Sequence, residues 1–465
     1  MPDNIIILGG GFAGLSAAVS LAESGCCVRL LEQKPYLGGR ARSFLHSASG
    51  AVVDNGQHIF MGCYQHALRF LSTIGTLHRI QFQNRLEVHF LEGDGRHTRL
   101  RCPGLPAPWH LLAGALTSNS FGAAEKMQIL RMGRVVQQLP VDSPAPGLAN
   151  ITVRQWLRQC GQSDSVQRKF WDLLCIAALN EDPAIAAAAL FARVLRLALF
   201  QSPADSRIGL AAGGLSECYT GAAQAFVEAR GGAVTLGANV TGLVFHSQGK
   251  GGENAGGQPT QPEGAVIAGV RLQDGSVLPA SRVISALPCW QLAPLLPAPW
   301  TQPGGFFAGT ASLRPAPIIS IYLWFDQPVS DLPFAGLRGR TIQWLFNKGA
   351  GANGASRSHL VSLVISGAHR LIGVENATLL QTALDDLRVL LPRARRARLL
   401  DRLIIKERCA TFSPAPGTEE LRPAAQTPVR GFYLAGDWTA TGLPATIESA
   451  VKSGYTAASC LMKQG

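Results

Sequence analysis

Two stretches near the N-terminus carry residue types suited to holding a phosphate-bearing ligand. Gly9-Gly-Gly-Phe-Ala-Gly14 follows the apolar run Asn4-Ile-Ile-Ile-Leu8 directly, and Leu15 to Ala22 then place apolar side chains at helical spacing. Val28-Arg-Leu-Leu-Glu32 is a second apolar run, ending in an acid 18 residues after Gly14. Strand, glycine turn, helix, strand and carboxylate in that order predict a dinucleotide-binding βαβ unit. Gly9 permits the tight turn, Gly11 lets a pyrophosphate approach the backbone, and Gly14 lets the helix pack on the strand. Ala13 lies in the first turn, where free N–H groups and a partial positive charge meet an anion. Glu32 is placed to accept hydrogen bonds from ribose hydroxyls. In a chain with 51 glycines the glycine pattern alone is weak, so its flanking elements carry the argument.

Charge and small residues recur just downstream. Pro35-Tyr-Leu-Gly-Gly-Arg-Ala-Arg42 brings the backbone close to a ligand at Gly38 and Gly39, and Arg40 offers a planar fork for two phosphate oxygens. Val52-Val-Asp-Asn-Gly-Gln-His58 is a short strand turning at Gly56. Near the other terminus, Gly431-Phe-Tyr-Leu-Ala-Gly-Asp437 is a strand delivering Asp437 to a turn, and a last helix begins near Ala445.

The elements that must position these groups follow from length and pattern. A chain of 465 residues, 47% hydrophobic and 15% charged, predicts two or three globular units. The net charge of +12 fits an anionic membrane surface. Nucleic acid is disfavoured, because aromatics are few and no basic helix or binding module is visible. Ten scattered cysteines without a CxxC pair point to reduced thiols, and the histidines show no metal-binding spacing. The N-terminal apolar run is a strand with no basic region before it, so a signal peptide is not expected. No uncharged apolar run is long enough to span a bilayer. A cytoplasmic protein, with peripheral contact on the inner membrane face, is the expectation.

Between the termini, helices are expected over 65–74, 109–116, 123–139 and 153–159, with Thr152 as an N-cap. The stretches 170–180 and 184–200 read as two apolar helices, and Asp172 and Asn180 are their notable polar members. The pair 109–116 and 123–139 could lie on a bilayer with Arg131 and Arg134 at the head groups, or could face the core. Strands are expected over 86–91, 97–102, 232–246, 265–272, 282–288, 318–325, 341–346 and 359–366. Helices are expected from 213 to 229 and from 376 to 390. Residues 247–264 are rich in Gly, Gln and Pro and read as a disordered loop, as do residues 349–358. The arginines at 393, 395, 396, 398 and 402 read as a solvated cluster with anionic lipid as the alternative.

The glycine fingerprint, the acid, the Gly38-Gly-Arg40 turn and the Asp54-Asn-Gly56 strand end together resemble flavoproteins of the amine oxidase and phytoene desaturase superfamily. Asp54-Asn-Gly-Gln-His58, Phe170-Trp-Asp-Leu-Leu-Cys-Ile-Ala-Ala-Leu-Asn180 and Ala435 to Gly454 narrow the resemblance to the squalene-associated FAD-dependent desaturases, the hydroxysqualene dehydroxylases. The resemblance spans nearly the whole chain. It implies an α/β fold: a discontinuous Rossmann-like FAD-binding domain of the glutathione-reductase type (1–75, 206–290 and 408–465) with an inserted α+β substrate-binding domain (76–205 and 291–407). It also implies that Arg40 lies by the FAD pyrophosphate, that Gly56 and Gln57 approach the flavin ring, and that Val240 makes backbone contacts to adenine. Gly436 and Asp437 take the ribityl or pyrophosphate part, and the helix start at Thr446 and Ile447 faces the polar edge of the flavin. No Cys or His lies between Thr427 and Lys452, so FAD is expected to be noncovalent. The implied reaction is reductive removal of the hydroxyl of 12-hydroxysqualene, a C30 isoprenoid, to give squalene. The apolar stretches 170–200 and 318–346 are the expected substrate walls, and His58 and Asp172 are the candidate proton donors. The flavin's reductant is not readable. A carotenoid or phytoene-type desaturase, another flavoenzyme of the amine oxidase superfamily, and a basic membrane-surface protein with a vestigial flavin fold remain as alternatives.

Overall fold

The computed structural model describes residues 4–140, 147–247, 259–350 and 359–463. A five-stranded parallel sheet anchors it, in the spatial order Ala233–Leu236, Val28–Glu32, Ile5–Leu8, Arg282–Ser285 and Phe432–Leu434. Strands far apart in sequence therefore lie side by side. The central strand shows why its residues are all apolar. Ile5 and Ile7 pack on one face with the helices, whereas Ile6 and Leu8 pack on the other with Leu243, Phe245 and Ile267. Successive side chains of a strand point to opposite faces, and a parallel sheet is covered on both.

One face carries the helices Phe12–Glu23, Thr220–Glu228 and Ile447–Lys463. The first and last of these cross very closely: a Cβ on Gly454 would collide with Ser16 and with the Ala13 carbonyl. Opposite them lies an antiparallel meander of Val240–Ser247, Ala265–Leu272 and Val277–Pro279. The region expected as one strand or a strand pair over 232–246 is thus two strands in different sheets. Gly237, at φ +71°, turns the chain between them.

A seven-stranded mixed sheet forms the second layer system. Its order is Leu399–Phe412, Pro315–Phe325, His359–Ser366, Trp344–Ala350, Phe334–Arg338, Glu87–Glu92 and His97–Arg101. Helix Asn376–Leu390 covers one face, against Ile319, Ile321 and Leu323. Ile318 and Val364 belong to a different cluster, with Phe346 and Leu173. Beside it, helices Ala123–Gln138, Val153–Gln159, Asp172–Leu179 and Ala188–Leu199 enclose Trp156, Trp171 and Phe191.

Two expectations need correction, and one element is new. The apolar stretch 170–180 is not one α-helix. A π-turn over Gln167–Trp171 precedes helix Asp172–Leu179, with Gln162 accepting from the Trp171 indole and its backbone carbonyl accepting from Gln167. One extra residue in that turn lets two bulky aromatics point inward. The second apolar helix starts at Ala188 rather than 184, because Glu181-Asp182-Pro183 forms a turn whose Asp182 side chain accepts from the Ala184 N–H. The arginines at 393, 395, 396, 398 and 402 are exposed, as a solvated cluster would be, and an unanticipated 14-residue strand, Leu399–Phe412, begins among them, paired along Pro315–Phe325. Its charge hid it, since the arginines sit on its exposed side. The Thr152 cap is present, accepting from Gln155 N at 3.3 Å. The inserts at 248–258 and 351–358, read as loops, lie outside the described residues. Among the described residues no helix is long and apolar enough to cross a membrane.

Candidate functional site

An open cavity of about 820 Å³ runs along the carboxyl ends of the parallel strands and over the seven-stranded sheet. Ligands bind in open α/β sheets at that end, and the glycine turn after the first strand lies on the cavity wall. Glu32 is only 7% exposed. Its carboxylate accepts from the N–H of Gly10 at 2.7 Å and of Lys34 at 2.9 Å. The acid thus shapes the turn and retains lone pairs toward the cavity. Ala238 donates to the Glu32 carbonyl, which places Val240 on the same wall.

The glycines divide by what surrounds them. A Cβ on Gly14 would run into the Gly9 carbonyl, and Gly14 does not line the cavity. Its absence of a side chain serves helix-on-strand packing. A Cβ on Gly11 would meet no atom nearer than 3.9 Å, yet Gly11 lines the cavity. The protein's own packing leaves that space open, and a ligand backed onto the chain there would fill it. Gly56 is similar, with nothing within 3.8 Å. Ala13 and Gly39 complete this end, the latter at φ +56°.

Arg40 and Asp437 meet across the cavity from opposite ends of the chain. The Arg40 guanidinium donates to Asp437 Oδ1 at 2.6 Å and to the Ala410 carbonyl at 2.8 Å, and sits 5.5 Å from the centre of the Trp290 ring. Burial pulls the Arg40 pKa down, but the charge and hydrogen bond of Asp437, with smaller help from Cys289 and Glu407, outweigh it and leave the pKa raised, so the arginine stays charged. Gly436, at φ +141°, would clash with Trp438 if it bore a side chain, and its N–H donates to Ser453 in the last helix. Thr446 accepts from Ser449 N and caps that helix, leaving the first turn at Ile447 on the cavity wall. Glu448 reaches away and caps the helix Gln65–Thr73 through the N–H groups of His66 and Ala67.

The far end of the cavity mixes polar and apolar groups. Gln57 donates to the His58 carbonyl, while its Oε1 is buried with no partner. Such an orphaned acceptor on a cavity wall marks a place for a ligand donor. His58 Nδ1 lies 2.8 Å from the Gly56 carbonyl. Burial pushes its pKa down, and the nearby Asp54 offsets this only in part. A neutral imidazole must donate from Nδ1 to that carbonyl, which leaves Nε2 as an acceptor. Ile59, Ala177, Ala178, Ile318 and Val364 supply the apolar surface, and Tyr64 stands near Thr446 with its phenol held protonated by burial.

Asp172 does not join this group. It lies off the cavity, with Oδ2 3.7 Å from Arg154 and Oδ1 buried without a partner, and burial raises its pKa. Ala177 and Ala178 face the cavity, and a residue five or six positions earlier on a helix points roughly to the opposite side. Asn180 does reach the cavity, but its side chain is spent. It takes the left-handed conformation at φ 54°, donates to Thr411 and accepts from Gly367 N. Sequence reasoning missed Trp290, Glu407, Cys409 and Tyr64 on the wall. Only the strand periodicity of 399–412 could have signalled Glu407 and Cys409.

These features match a known family over nearly the whole chain. The sequence profile of the family described as flavin containing amine oxidoreductase matches residues 12–462. The chain belongs to that family. FAD is its cofactor, and it is an FAD-dependent oxidoreductase. The open space at Gly11, the orphaned Gln57 acceptor and the Arg40–Asp437 pair fit such a group. The hydroxysqualene dehydroxylase of Sinorhizobium fredii is 29% identical over 469 residues, covering 100% of this chain and 99% of that protein. A 15-cis-phytoene desaturase of Synechococcus elongatus is 25% identical, over 98% of this chain and 95% of that protein. An oxidoreductase from Methanosarcina mazei shares the fold with a TM-score of 0.71 at 16% identity, covering 99% of this chain and 100% of that chain. The cyclohexylamine oxidase of Brevibacterium oxydans does so at 0.69 and 17% identity, over 100% and 99%.

Proposed function

We propose that this enzyme reductively removes the hydroxyl of 12-hydroxysqualene to give squalene. What carries the reading is the full-length similarity to named hydroxysqualene dehydroxylases, together with a cavity whose far wall is apolar. Bound noncovalently and in its reduced form, the cofactor would supply the two electrons and, in net balance, the two hydrogens by which a C–OH becomes a C–H and the hydroxyl leaves as water. The chain's own residues bind, orient and exclude water. Glu32 and Val240 take the ribose and adenine end, with the turn Gly9 to Gly14 at the pyrophosphate. Arg40, held by Asp437, adds positive charge there. Gly56, Gln57 and the helix start at Thr446 and Ile447 surround the ring, where a helix N-terminus favours negative charge. Gly39 and Gly436 let the backbone pass close by.

His58 Nε2 accepts the hydrogen of the substrate hydroxyl and orients the C–O bond. Tyr64, whose phenol burial holds protonated, stands beside Thr446 on the same wall and shapes it rather than giving up its proton. The split domain (1–75, 206–290 and 408–465, with 76–205 and 291–407 inserted) puts the isoprenoid in the second unit. Access is from the inner face of the cytoplasmic membrane. Helices Trp109–Thr117 and Ala123–Gln138 support that contact: Trp109 and Leu116 share one helical stripe and are 59% and 48% exposed. On the neighbouring helix exposed Met127 shares a stripe with exposed Arg131 and Arg134.

The decisive experiment is anaerobic incubation of dithionite-reduced enzyme with hydroxysqualene. Squalene formed as the flavin reoxidises is the expected result. Reduced flavin that persists while 15-cis-phytoene is desaturated by the oxidised enzyme would replace this reading with the desaturase one.

A further inference from the structure

A second, smaller cavity of about 190 Å³ lies away from the cofactor site, between the loop at Asn84, the helix Trp109–Thr117 and the turn 203–207. His110 lines it and is 1% exposed; burial lowers its pKa, the Pro106 carbonyl nearby offsets this only in part, and neither ring nitrogen makes a well-formed hydrogen bond among the described residues. A buried imidazole without a well-formed partner is costly, and a native fold rarely leaves one unused. Arg85 and Arg207 line the same cavity, and neither is in an ion pair among the described residues. Arg207 spends one N–H on the Ala204 carbonyl at 3.4 Å. Asp205, whose carboxylate feels the positive charge of Arg207, lies outside the lining.

Two guanidinium groups outside any ion pair among the described residues, beside a buried imidazole with hydrogen-bonding capacity to spare, make a site for a phosphate-type anion. What stands beside the site selects its source. The helix that carries His110 also presents exposed Trp109 and Leu116, and Leu105 at 43% exposure precedes it. Its underside, through Leu111, belongs to the same apolar cluster as Ile59, Ile318 and Val364 of the main cavity. An apolar apron, an anion pocket at its edge and a hydrocarbon-like path behind it match the layers of a bilayer leaflet. We infer that this pocket seats the phosphate of one anionic phospholipid when the apron lies in the membrane, aligning the main cavity's apolar end with the acyl chains. This rests on the isoprenoid reading only for the alignment.

The test is sedimentation of the holoenzyme with vesicles of phosphatidylcholine mixed with phosphatidylglycerol. Arg85→Gln/Arg207→Gln is expected to weaken binding about tenfold or more, given roughly 1 kcal/mol per cationic side chain at an anionic surface. The control Arg29→Gln/Arg271→Gln removes the same charge from exposed positions on the cofactor-binding half and is expected to cost less than about threefold. His110→Phe leaves the net charge unchanged and is expected to weaken binding too. If that variant loses its flavin or its fold, the arginine pair decides. An arginine variant that binds as well as the wild type, or no worse than the control, overturns the proposal. So does phosphorus NMR broadening of inorganic phosphate that depends on Arg85 and Arg207 while vesicle binding does not. Protein that binds vesicles but does not dehydroxylate hydroxysqualene sinks the functional reading alone. Protein that converts the substrate in detergent but ignores vesicles sinks this inference alone.

Discussion

The two ends of the main cavity are built by different means. At the glycine end, the wall is backbone: Gly9, Gly11, Gly39 and Gly436 leave room, and N–H groups held by Glu32 and Ser453 set its shape. At the other end the wall is side chain: Ile318 and Val364 from neighbouring strands, Ala177 and Ala178 from a helix, and Ile59 from a loop. A backbone wall cannot absorb a methyl group, because neither neighbour can turn away. An apolar side-chain wall can repack, because adjacent rotamers adjust. Rigid recognition of a cofactor and tolerant recognition of a long apolar chain thus follow from the two kinds of wall.

The largest effects should come from adding one methyl to the glycine turn, on its packing side or on its cavity side. Gly14→Ala sets a side chain against the Gly9 carbonyl and should give little folded protein, read by circular dichroism and yield. Gly11→Ala meets only open space, so it should fold with a normal melting temperature yet purify without its yellow flavin. A Gly11→Ala protein that keeps full flavin occupancy would break the contrast between packing and ligand glycines. Next is Arg40→Ala, which leaves the nearly buried Asp437 carboxylate unpaired. It should cost about 2 kcal/mol of holoenzyme stability in urea, below the full penalty of a buried pair because Arg40 is partly exposed.

At the tolerant end the effects should shrink. Ile318→Val should cost about 1 kcal/mol, keep its flavin, and raise KM for the isoprenoid more than it lowers kcat. Loss of flavin from Ile318→Val would show that the two walls are not separable. His58 sits between the ends and gives a pH test. Its folded pKa is lowered, so between that value and the unfolded value near 6.5 the unfolded chain binds more protons. Its stability contribution is full above about 6.5 and is lost as pH falls below it. His58→Gln should flatten the melting temperature against pH on the acid side, and equal slopes would remove His58 as the cause. The smallest effect is expected of Asp172→Asn, which should change turnover less than about twofold because Asp172 is off the cavity.

Legibility followed the same division. The glycine end could be read because each contribution there is local: a strand period, a turn that needs glycine, and an acid one strand later. Glu32, Arg40, Gly56 and Asp437 all reach one cavity. Asp172 was misplaced because its helix has a π-turn before it and apolar residues all round, so sequence gave no face to prefer. The strand Leu399–Phe412 was hidden by arginines on its exposed side, and with it Glu407 and Cys409. His110 drew no notice, since one histidine in an apolar helix says nothing about its partners.

By itself the sequence determined the cofactor class, the covered parallel sheet and the backbone cradle, because these rest on periodicity and on conformations that only glycine adopts freely. Only the tertiary structure decided that Arg40 is held by Asp437, 397 positions away, that Gln57 keeps an unpartnered buried oxygen, and which helix faces meet the cavity. Pairings of that kind are set by where packed layers bring distant segments together, and no local pattern in the chain encodes the distance between them.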